Sequence, residues 1–206
     1  MNDFFVAISR EYGSGGRDIA NKLAGELGLG CYDKSIIKLT AEKSGLSAGF
    51  IEQSEEKAGG VLFNLQLSAF ANAESLVYYD TPTSDKMFIA QSEVIRELAA
   101  RGSCVILGRC ADYILRERKN LVRVFIYADL EDRARRAVES YGLAEKNSEA
   151  AVRKADKARG GYYKYYTNLI WGAKENFDIA INSSFAGIDG SVAVIKELLR
   201  ARGFAE

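Results

Sequence analysis

The chain has 206 residues, nearly half of them apolar, and its 28 acidic residues balance its 28 lysines and arginines. This length predicts one compact domain with insertions, and the balanced charge gives no general attraction to nucleic acid or membranes. The chain contains no histidine, which excludes histidine-based triads and histidine metal sites, so its chemistry must rest on carboxylates, arginines, lysines and a metal ion.

The three cysteines, Cys31, Cys104 and Cys110, do not have the spacing of a metal site. An odd number of cysteines without a recognisable signal segment favours a reduced, cytoplasmic protein. No apolar run approaches the length of a membrane span. We therefore expect a cytoplasmic protein with neither nucleic-acid nor membrane partners, and the sequence leaves a homo-oligomer open.

The chain opens with an apolar strand, a glycine-rich turn and an amphipathic helix in immediate succession. Glycines let backbone N–H groups approach an anion closely, and the helix directs its unpaired N–H groups to the same place. This order predicts a loop that binds the phosphates of a nucleotide. Its predicted phosphate-binding residues are Tyr12, Gly13, Ser14, Gly15, Gly16, Arg17 and Asp18.

The cation of this loop does not stand where the usual pattern has it. Phosphate loops end in Gly-Lys-Ser or Gly-Lys-Thr, but Gly16 takes the place of the lysine here and Arg17 follows. We predict that Arg17 replaces the lysine and takes part in catalysis. On this hypothesis, Arg17→Ala weakens ATP binding more than Arg10→Ala does.

The glycines at 28–30 end the first predicted helix. A short strand at Cys31 and Tyr32 follows and ends at Asp33. Apolar spacing then predicts helices over residues 34–43, 48–57 and 86–101, the last capped by Ser84 or Asp85. Residues 59–83 mix apolar side chains with glycine, asparagine, serine and the only proline. We expect this segment to be a partly helical insertion that moves or changes order.

The second half of the chain alternates strands with helices. Strands are predicted over 105–107, 122–128 and 177–182, and helices over 130–141, 148–171 and 191–202, with Asp129 as a cap. The strands are continuous apolar runs, which indicates a parallel sheet covered by helices on both faces. Arg109 follows one strand directly, at the sheet edge where ligands bind in such folds.

Two groups of side chains on the later helices have open alternatives. Arg133 and Arg136 share a helical face and either contact phosphate or lie in solvent. The tyrosine pairs 162–163 and 165–166 either stack on a base or pack at a hinge or interface.

Ordered motifs along nearly the whole chain make it resemble the cytidylate kinase family, most closely its divergent cytidylate kinase-like branch. The motifs are Ile8-Ser9-Arg10-Glu11-Tyr12-Gly13-Ser14-Gly15-Gly16-Arg17, Tyr32-Asp33-Lys34, Val105-Ile106-Leu107-Gly108-Arg109, Val124-Phe125-Ile126-Tyr127-Ala128, Asp132-Arg133-Ala134-Arg135-Arg136, Asp156-Lys157-Ala158-Arg159, and Asp178-Ile179-Ala180-Ile181-Asn182-Ser183-Ser184.

The resemblance implies a three-layer α/β fold of the P-loop type, with a five-stranded parallel sheet. It implies a core of residues 1–38, 102–144 and 173–206, a helical monophosphate-binding insertion at 39–101, and a helical lid at 145–172. The implied activity is transfer of the ATP γ-phosphoryl group to a nucleoside monophosphate such as CMP or dCMP, with Mg²⁺ as cofactor.

The resemblance also implies roles for individual residues. It assigns Arg153 and Arg159 of the lid, with Arg17, to catalysis. It assigns Asp33, Lys38, Arg109, Arg133 and Asp156 to the acceptor, and Asp18 to the metal. The chain departs from the family where Asp18 replaces threonine, Cys110 replaces aspartate, and Leu39, beside Lys38, replaces arginine. A nucleotide-binding sensor or interaction protein with weak or lost activity, and a kinase of a non-nucleotide small molecule, therefore stay open.

Overall fold

The computed structural model describes residues 3–45, 83–144 and 146–205. Five parallel strands form one sheet in the order β2-β3-β1-β4-β5. The strands are β1 Phe5–Arg10, β2 Gly30–Tyr32, β3 Cys104–Leu107, β4 Leu121–Tyr127 and β5 Ile179–Asn182. β1 lies at the centre, pairing Val6 with Val105 on one side and with Val122 on the other. The parallel sheet predicted from the apolar runs is therefore confirmed.

Helices cover both faces of this sheet. In the described ranges they are α1 Gly16–Leu27, α2 Lys34–Ser44, α3 Thr83–Ala100, α4 Ala111–Ile114, α5 Leu130–Tyr141, α6 Ser148–Thr167 and α7 Ser183–Ala201, with a 3-10 turn at Lys174–Asn176. Among these residues, no helix has the length and apolar character needed to cross a bilayer. The predicted helix at 48–57 and nearly all of the expected mobile insertion at 59–83 lie outside the described residues.

Alternate residues of β1 divide the core into two layers. Val6 and Ile8 face α1 and α7, where they pack with Ile19, Leu23 and Ile195. Phe5 and Ala7 of β1 face the other way and pack against side chains of α2, α3, α4 and α6. These side chains are Ile36, Val94, Ile95, Leu98, Ile114 and Tyr163. This burial on both faces explains why the central strand reads as an unbroken apolar run.

Several element ends differ from the sequence-based expectation. α7 begins at Ser183 rather than residue 191, because Asn182 caps it and Gly187, with φ 67° and ψ 179°, kinks it. α6 ends at Thr167, four residues early, where Asn168 takes a left-handed conformation with φ 58°. The single turn α4 was not predicted at all, since four residues leave no readable period.

Candidate active site

The phosphate loop connects β1 to α1 and has the backbone that its glycines predict. Gly13 and Gly15 have φ angles of 79° and 75°, a region that favours glycine. The first helical hydrogen bond runs from the Ile19 N–H to the Gly15 carbonyl at 3.0 Å. The amides of residues 16–18 precede that bond, so they have no carbonyl partner within the helix and can bind an anion.

Two arginines of α5 donate hydrogen bonds to backbone carbonyls of this loop. Arg133 is only 6% exposed, and its Nε–H donates to the Tyr12 carbonyl at 2.9 Å. The same guanidinium forms ion pairs with Glu11, at 2.9 Å, and with Asp156. Arg136 donates from Nη1 to the Gly13 carbonyl at 2.6 Å. Both arginines are thus bound to the protein and stabilise the loop conformation.

Helix α6 also contacts the phosphate loop. Asp156 accepts a hydrogen bond from the Tyr12 N–H at 2.7 Å. One turn later, Arg159 donates to the Arg10 carbonyl at 3.0 Å, and its guanidinium lies 5.3 Å from the centre of the Tyr12 ring. These contacts fix the middle of α6 against the start of the loop.

The residues that follow the end of β3 form another part of the site. Gly108, Arg109 and Cys110 have consecutive positive φ angles of 73°, 57° and 55°. Left-handed backbone costs about 1–2 kcal/mol at each non-glycine residue, so this turn stores strain of the kind found at functional sites. Cys110 is buried, and burial raises the pKa of its thiol well above the usual range. The thiol is therefore protonated and unreactive at neutral pH.

Asp33, at the N-terminus of α2, faces the phosphate loop. Its carboxylate pairs with Arg17 Nε at 2.9 Å. This ion pair turns the Arg17 side chain toward α2, so the predicted replacement for the loop lysine has a protein carboxylate as its partner.

Aromatic side chains join α6 to α3. The rings of Phe88 and Tyr166 stack with their centres 4.1 Å apart. Tyr162 donates from its hydroxyl to Gln91 at 3.0 Å, and Tyr163 donates to Asp112 of α4 at 2.6 Å. Packing between helices thus accounts for three of the four tyrosines, while Tyr165 is half exposed.

These elements enclose a cleft of about 680 Å³. Eight of the predicted site residues border it, namely Tyr12, Gly13, Gly15, Gly16, Arg17, Asp33, Arg109 and Arg159. Arg10, Ile37, Tyr141, Tyr162 and Trp171 complete much of the wall. The lining of the cleft therefore combines loop backbone and arginines with aromatic and aliphatic side chains.

The other predicted residues are not among the described residues that border the cleft. Ser14 is fully buried, and its hydroxyl donates to the Glu11 carbonyl at 2.9 Å. Arg133 and Asp156 lie behind the loop as an ion pair. The remaining three have exposed side chains, Asp18 on the first turn of α1, Lys38 on α2 and Arg153 on α6.

Sequence reasoning gave no site role to Arg10, which borders the cleft at the end of β1. A signal was present, because a loop glycine in place of lysine leaves room for a neighbouring side chain. Trp171 and Tyr141 gave no such signal, since aromatic residues next to helix ends are usually core residues. Only the tertiary packing places these rings at the border of the cleft.

Comparison with known proteins agrees with this architecture. The model of the cytidylate kinase-like family matches residues 5–185. The chain belongs to the cytidylate kinase-like family. It is 25% identical over 195 residues to a cytidylate kinase of Ignicoccus hospitalis, across 94% of this chain and 98% of that protein.

Solved structures share the fold of this cytidylate kinase-like chain. A protein from Eubacterium ventriosum superposes with a TM-score of 0.70 at 25% identity, covering 96% of this chain and 98% of that one. Shikimate kinase from Acinetobacter baumannii, in complex with shikimate, gives a TM-score of 0.55 at 16% identity, covering 98% and 95%. The P-loop type of α/β fold is thereby confirmed.

Proposed function

We propose that this protein transfers the γ-phosphoryl group of ATP to a nucleoside monophosphate, with CMP or dCMP as the acceptor. One observation carries the proposal: the glycine-rich loop, Arg109, Arg159 and several aromatic side chains all border one cleft. Two phosphorylated substrates could thus meet end to end, and phosphoryl transfer depends on this positioning and on charge neutralisation.

The donor end of the cleft suits the phosphates of ATP. Amides at the start of α1 and the positive end of its dipole attract them. Ser183 donates from its hydroxyl to the Ser14 carbonyl at 2.6 Å, and Arg136 holds the Gly13 carbonyl. Because carbonyls of this loop are bound from behind, the loop is preorganised and its amides can face the ligand.

The acceptor end of the cleft suits a base with a phosphate attached. Arg109 and Arg159 border the cleft together with the Arg17–Asp33 ion pair, so positive side chains outnumber carboxylates in its described lining. Ile37 and Trp171 add apolar surface for a planar base. An excess of arginine favours an acceptor that already carries a phosphate over a neutral nucleoside or sugar.

CMP and dCMP are proposed because of the family and because the Ignicoccus relative is named cytidylate kinase. The roles proposed from the resemblance divide accordingly. Arg109 and Asp33 act on the acceptor, and Arg159 acts at the reacting phosphates. Arg133 and Asp156 position the loop. Arg153 and Lys38 have exposed side chains, and the proposal assigns them no contact with either substrate.

We also propose that residues 39–101 form the monophosphate-binding insertion and 145–172 the lid, on a core of residues 1–38, 102–144 and 173–206. The contacts of Tyr162 with Gln91 and of Phe88 with Tyr166 support this, since they join the lid helix to the insertion helix. Helix α2 runs unbroken from Lys34 to Ser44, so the proposed boundary between residues 38 and 39 falls within one helix.

Magnesium would enter on the phosphates of the nucleotide. Within residues 3–45, 83–144 and 146–205, no three potential ligand side chains lie close enough to hold a metal ion alone. That arrangement suits Mg²⁺, which usually takes one or two carboxylates and completes its shell with phosphate and water. Asp18, exposed on the first turn of α1, is the carboxylate that would hold it. When bound, the ion would neutralise charge on the phosphates.

A coupled assay of ADP formation tests the proposal. The acceptors are CMP, dCMP, UMP and AMP, with cytidine and shikimate as controls that lack a phosphate. We expect turnover with CMP or dCMP, and Arg109→Ala should raise the KM for that acceptor about tenfold or more with little change in the KM for ATP. Turnover with a control but with no monophosphate would contradict the proposal and favour a non-nucleotide acceptor.

A second candidate is a nucleotide sensor without turnover. The observation that favours it is the loop itself, in which Gly16 and Asp18 replace the lysine and the hydroxyl residue of active phosphate loops. Clear ATP binding by calorimetry without ADP formation from any acceptor would favour this reading over the kinase.

A further inference from the structure

The space above Gly16 is filled by the side chain of another residue. A Cβ atom on Gly16 would lie 2.6 Å from Cβ and 2.9 Å from Cγ of Arg10. Such distances are too short for carbon atoms in contact. Unlike Gly13 and Gly15, Gly16 does not have a positive φ angle, so its backbone alone would accept a side chain. Glycine is required at position 16 because Arg10 crosses it.

The head of the Arg10 side chain rests on a second glycine. A Cβ atom on Gly108 would collide with Nη1 of Arg10, so the guanidinium lies directly over the end of β3. Gly108 is also fixed by a hydrogen bond from its N–H to the Ile8 carbonyl at 2.9 Å. Gly16 and Gly108 therefore define the path of this side chain, from the phosphate loop to the end of β3.

The charge of Arg10 is not held in an ion pair in the described part of the chain. The hydrogen bonds and ion pairs of residues 3–45, 83–144 and 146–205 include none from its guanidinium, although its carbonyl accepts one from Arg159. The pKa of Arg10 is lowered to about 9, mainly by burial and then by the charges of Arg159, Arg109 and Arg17, while Asp33 opposes the shift. Asp33 is already paired with Arg17.

We propose that Arg10 supplies the cation of the phosphate loop, binding the terminal phosphates of ATP in place of the lysine absent from position 16. This inference rests on the proposed function, because it assigns a residue to the donor site of the same cleft. A guanidinium can donate two parallel hydrogen bonds to a phosphate. The position of Arg10 between the loop and β3 lets it contact the phosphate at the boundary of the donor and acceptor ends.

The sequence-based hypothesis assigned the role of the absent lysine to Arg17. The two hypotheses predict opposite orders for the effects of the two arginines on ATP binding. Arg17 belongs to the loop in sequence, but its side chain is turned toward Asp33. Arg10 lies two residues before the loop, but its side chain crosses the position of the absent lysine. Removing the charge of Arg10 should therefore weaken ATP binding more than removing that of Arg17.

An exchange of side chains tests this. Binding of ATP with Mg²⁺, without an acceptor, is measured by calorimetry for the wild type, Arg10→Met, Arg10→Gly and the double variant Arg10→Gly with Gly16→Lys. Glycine is used at position 10 because the Arg10 Cβ itself would contact a side chain at position 16. Arg10→Met keeps the stem over Gly16 and removes only the charge. The exposed Arg135, paired with Asp132 on α5, gives the matched control Arg135→Met.

We expect Arg10→Met and Arg10→Gly to raise the Kd for ATP about tenfold or more, as loss of a charge-assisted contact should. The double variant should recover most of that loss, and Arg135→Met should bind as the wild type does. Circular dichroism establishes that each variant is folded. Unchanged affinity in Arg10→Met, or no recovery in a folded double variant, would overturn the proposal.

The two proposals fail in different ways. A wild type that binds ATP through Arg10 but phosphorylates no acceptor would overturn the proposed function alone. A wild type that phosphorylates CMP while Arg10→Met keeps the same KM for ATP would overturn the role of Arg10 alone. A wild type that binds no ATP would overturn both.

Discussion

Arg133 and Arg10 both lie against the phosphate loop, and their surroundings differ in charge. Arg133 is 6% exposed and bound by two carboxylates, Glu11 and Asp156, together with the Tyr12 carbonyl. Arg10 is partly buried among three arginines, and the single nearby carboxylate, Asp33, is paired with Arg17. Among the described residues, carboxylates neutralise the first cation, whereas none forms an ion pair with the second.

This difference separates two roles that the sequence motifs alone do not distinguish. A buried charge with protein partners stabilises the fold, because removing it strands those partners. A partly buried charge without partners lowers stability until an anion arrives, so its benefit appears only on binding. On this physical ground Arg133 belongs to the scaffold of the loop and Arg10 to the ligand.

The largest expected effect comes from removing the compensated cation. Arg133→Met should lower the free energy of unfolding by about 3–5 kcal/mol, because Glu11 and Asp156 lose their shared partner. Chemical denaturation monitored by circular dichroism measures it. Arg135→Met, on the exposed face of the same helix, should change little. Equal effects of the two substitutions would remove the distinction between scaffold and ligand arginines.

A second substitution tests how closely the loop rests on Arg133. Gly13→Ala places a Cβ 2.9 Å from the carbonyl carbon of Arg133, whereas Gly28→Ala, also at a positive φ, meets no atom within 4 Å. Both pay about 1–2 kcal/mol for the left-handed backbone, and only Gly13→Ala adds about 1–3 kcal/mol of overpacking. Thermal unfolding of the pair gives the difference. Equal losses would mean that the loop can move away from α5 freely.

The uncompensated cation should show the opposite sign. Without ligand, Arg10→Met should raise the free energy of unfolding by about 1 kcal/mol, because it removes a buried charge that other arginines repel. Denaturant unfolding in low-salt buffer measures this gain. Added sulfate should stabilise the wild type more than the variant. A loss of stability in Arg10→Met without ligand would contradict the comparison.

The smallest expected effect concerns a buried acid. Burial raises the pKa of Asp112, while a hydrogen bond from Tyr163 opposes the shift. Between the unfolded value near 4 and the higher folded value, the folded protein keeps a proton that the unfolded chain has lost. This group therefore makes stability fall as pH rises through that range, and Asp112→Asn should remove its slope, a change of about 1 kcal/mol or less.

Thermal unfolding between pH 3 and pH 7 measures that slope. Asp132 is the control, because the hydrogen bond from Ser184 lowers its pKa, so its contribution is present at neutral pH and is lost as pH falls. Asp132→Asn should therefore remove a contribution to stability that rises with pH, whereas Asp112→Asn removes one that falls with pH. Identical pH profiles for the wild type and Asp112→Asn would show that this buried carboxyl does not titrate differently on folding.

The fold was predictable from the sequence in most of the described part. Apolar runs such as Val105 to Leu107 identify buried strands because both faces of the sheet are covered. The start of α7 was not predictable, since the kink at Gly187 joins two helical segments that read separately. The helix boundary at Asn168 was missed because asparagine, unlike glycine, gives a weak signal for a left-handed stop.

The candidate site was predictable in its backbone but not in its side-chain partners. Gly13 and Gly15 take the positive φ angles that the loop motif implies, and Arg109 follows its strand into the cleft. Arg133, Asp156 and Arg17 were all named as ligand residues. Each has a protein partner that lies 16 or more residues away in the chain, and no local pattern indicated that partner.

The sequence by itself determined the order of strands and helices, the phosphate loop and the family, because local periodicity and short motifs carry that information. Only the tertiary structure decided which arginine is neutralised and which is left for an anion. Charge compensation depends on distances between Arg10, Asp33 and Arg159, which belong to three separate elements. Those distances are set by how α2 and α6 pack beside β1, and no local pattern in the sequence records them.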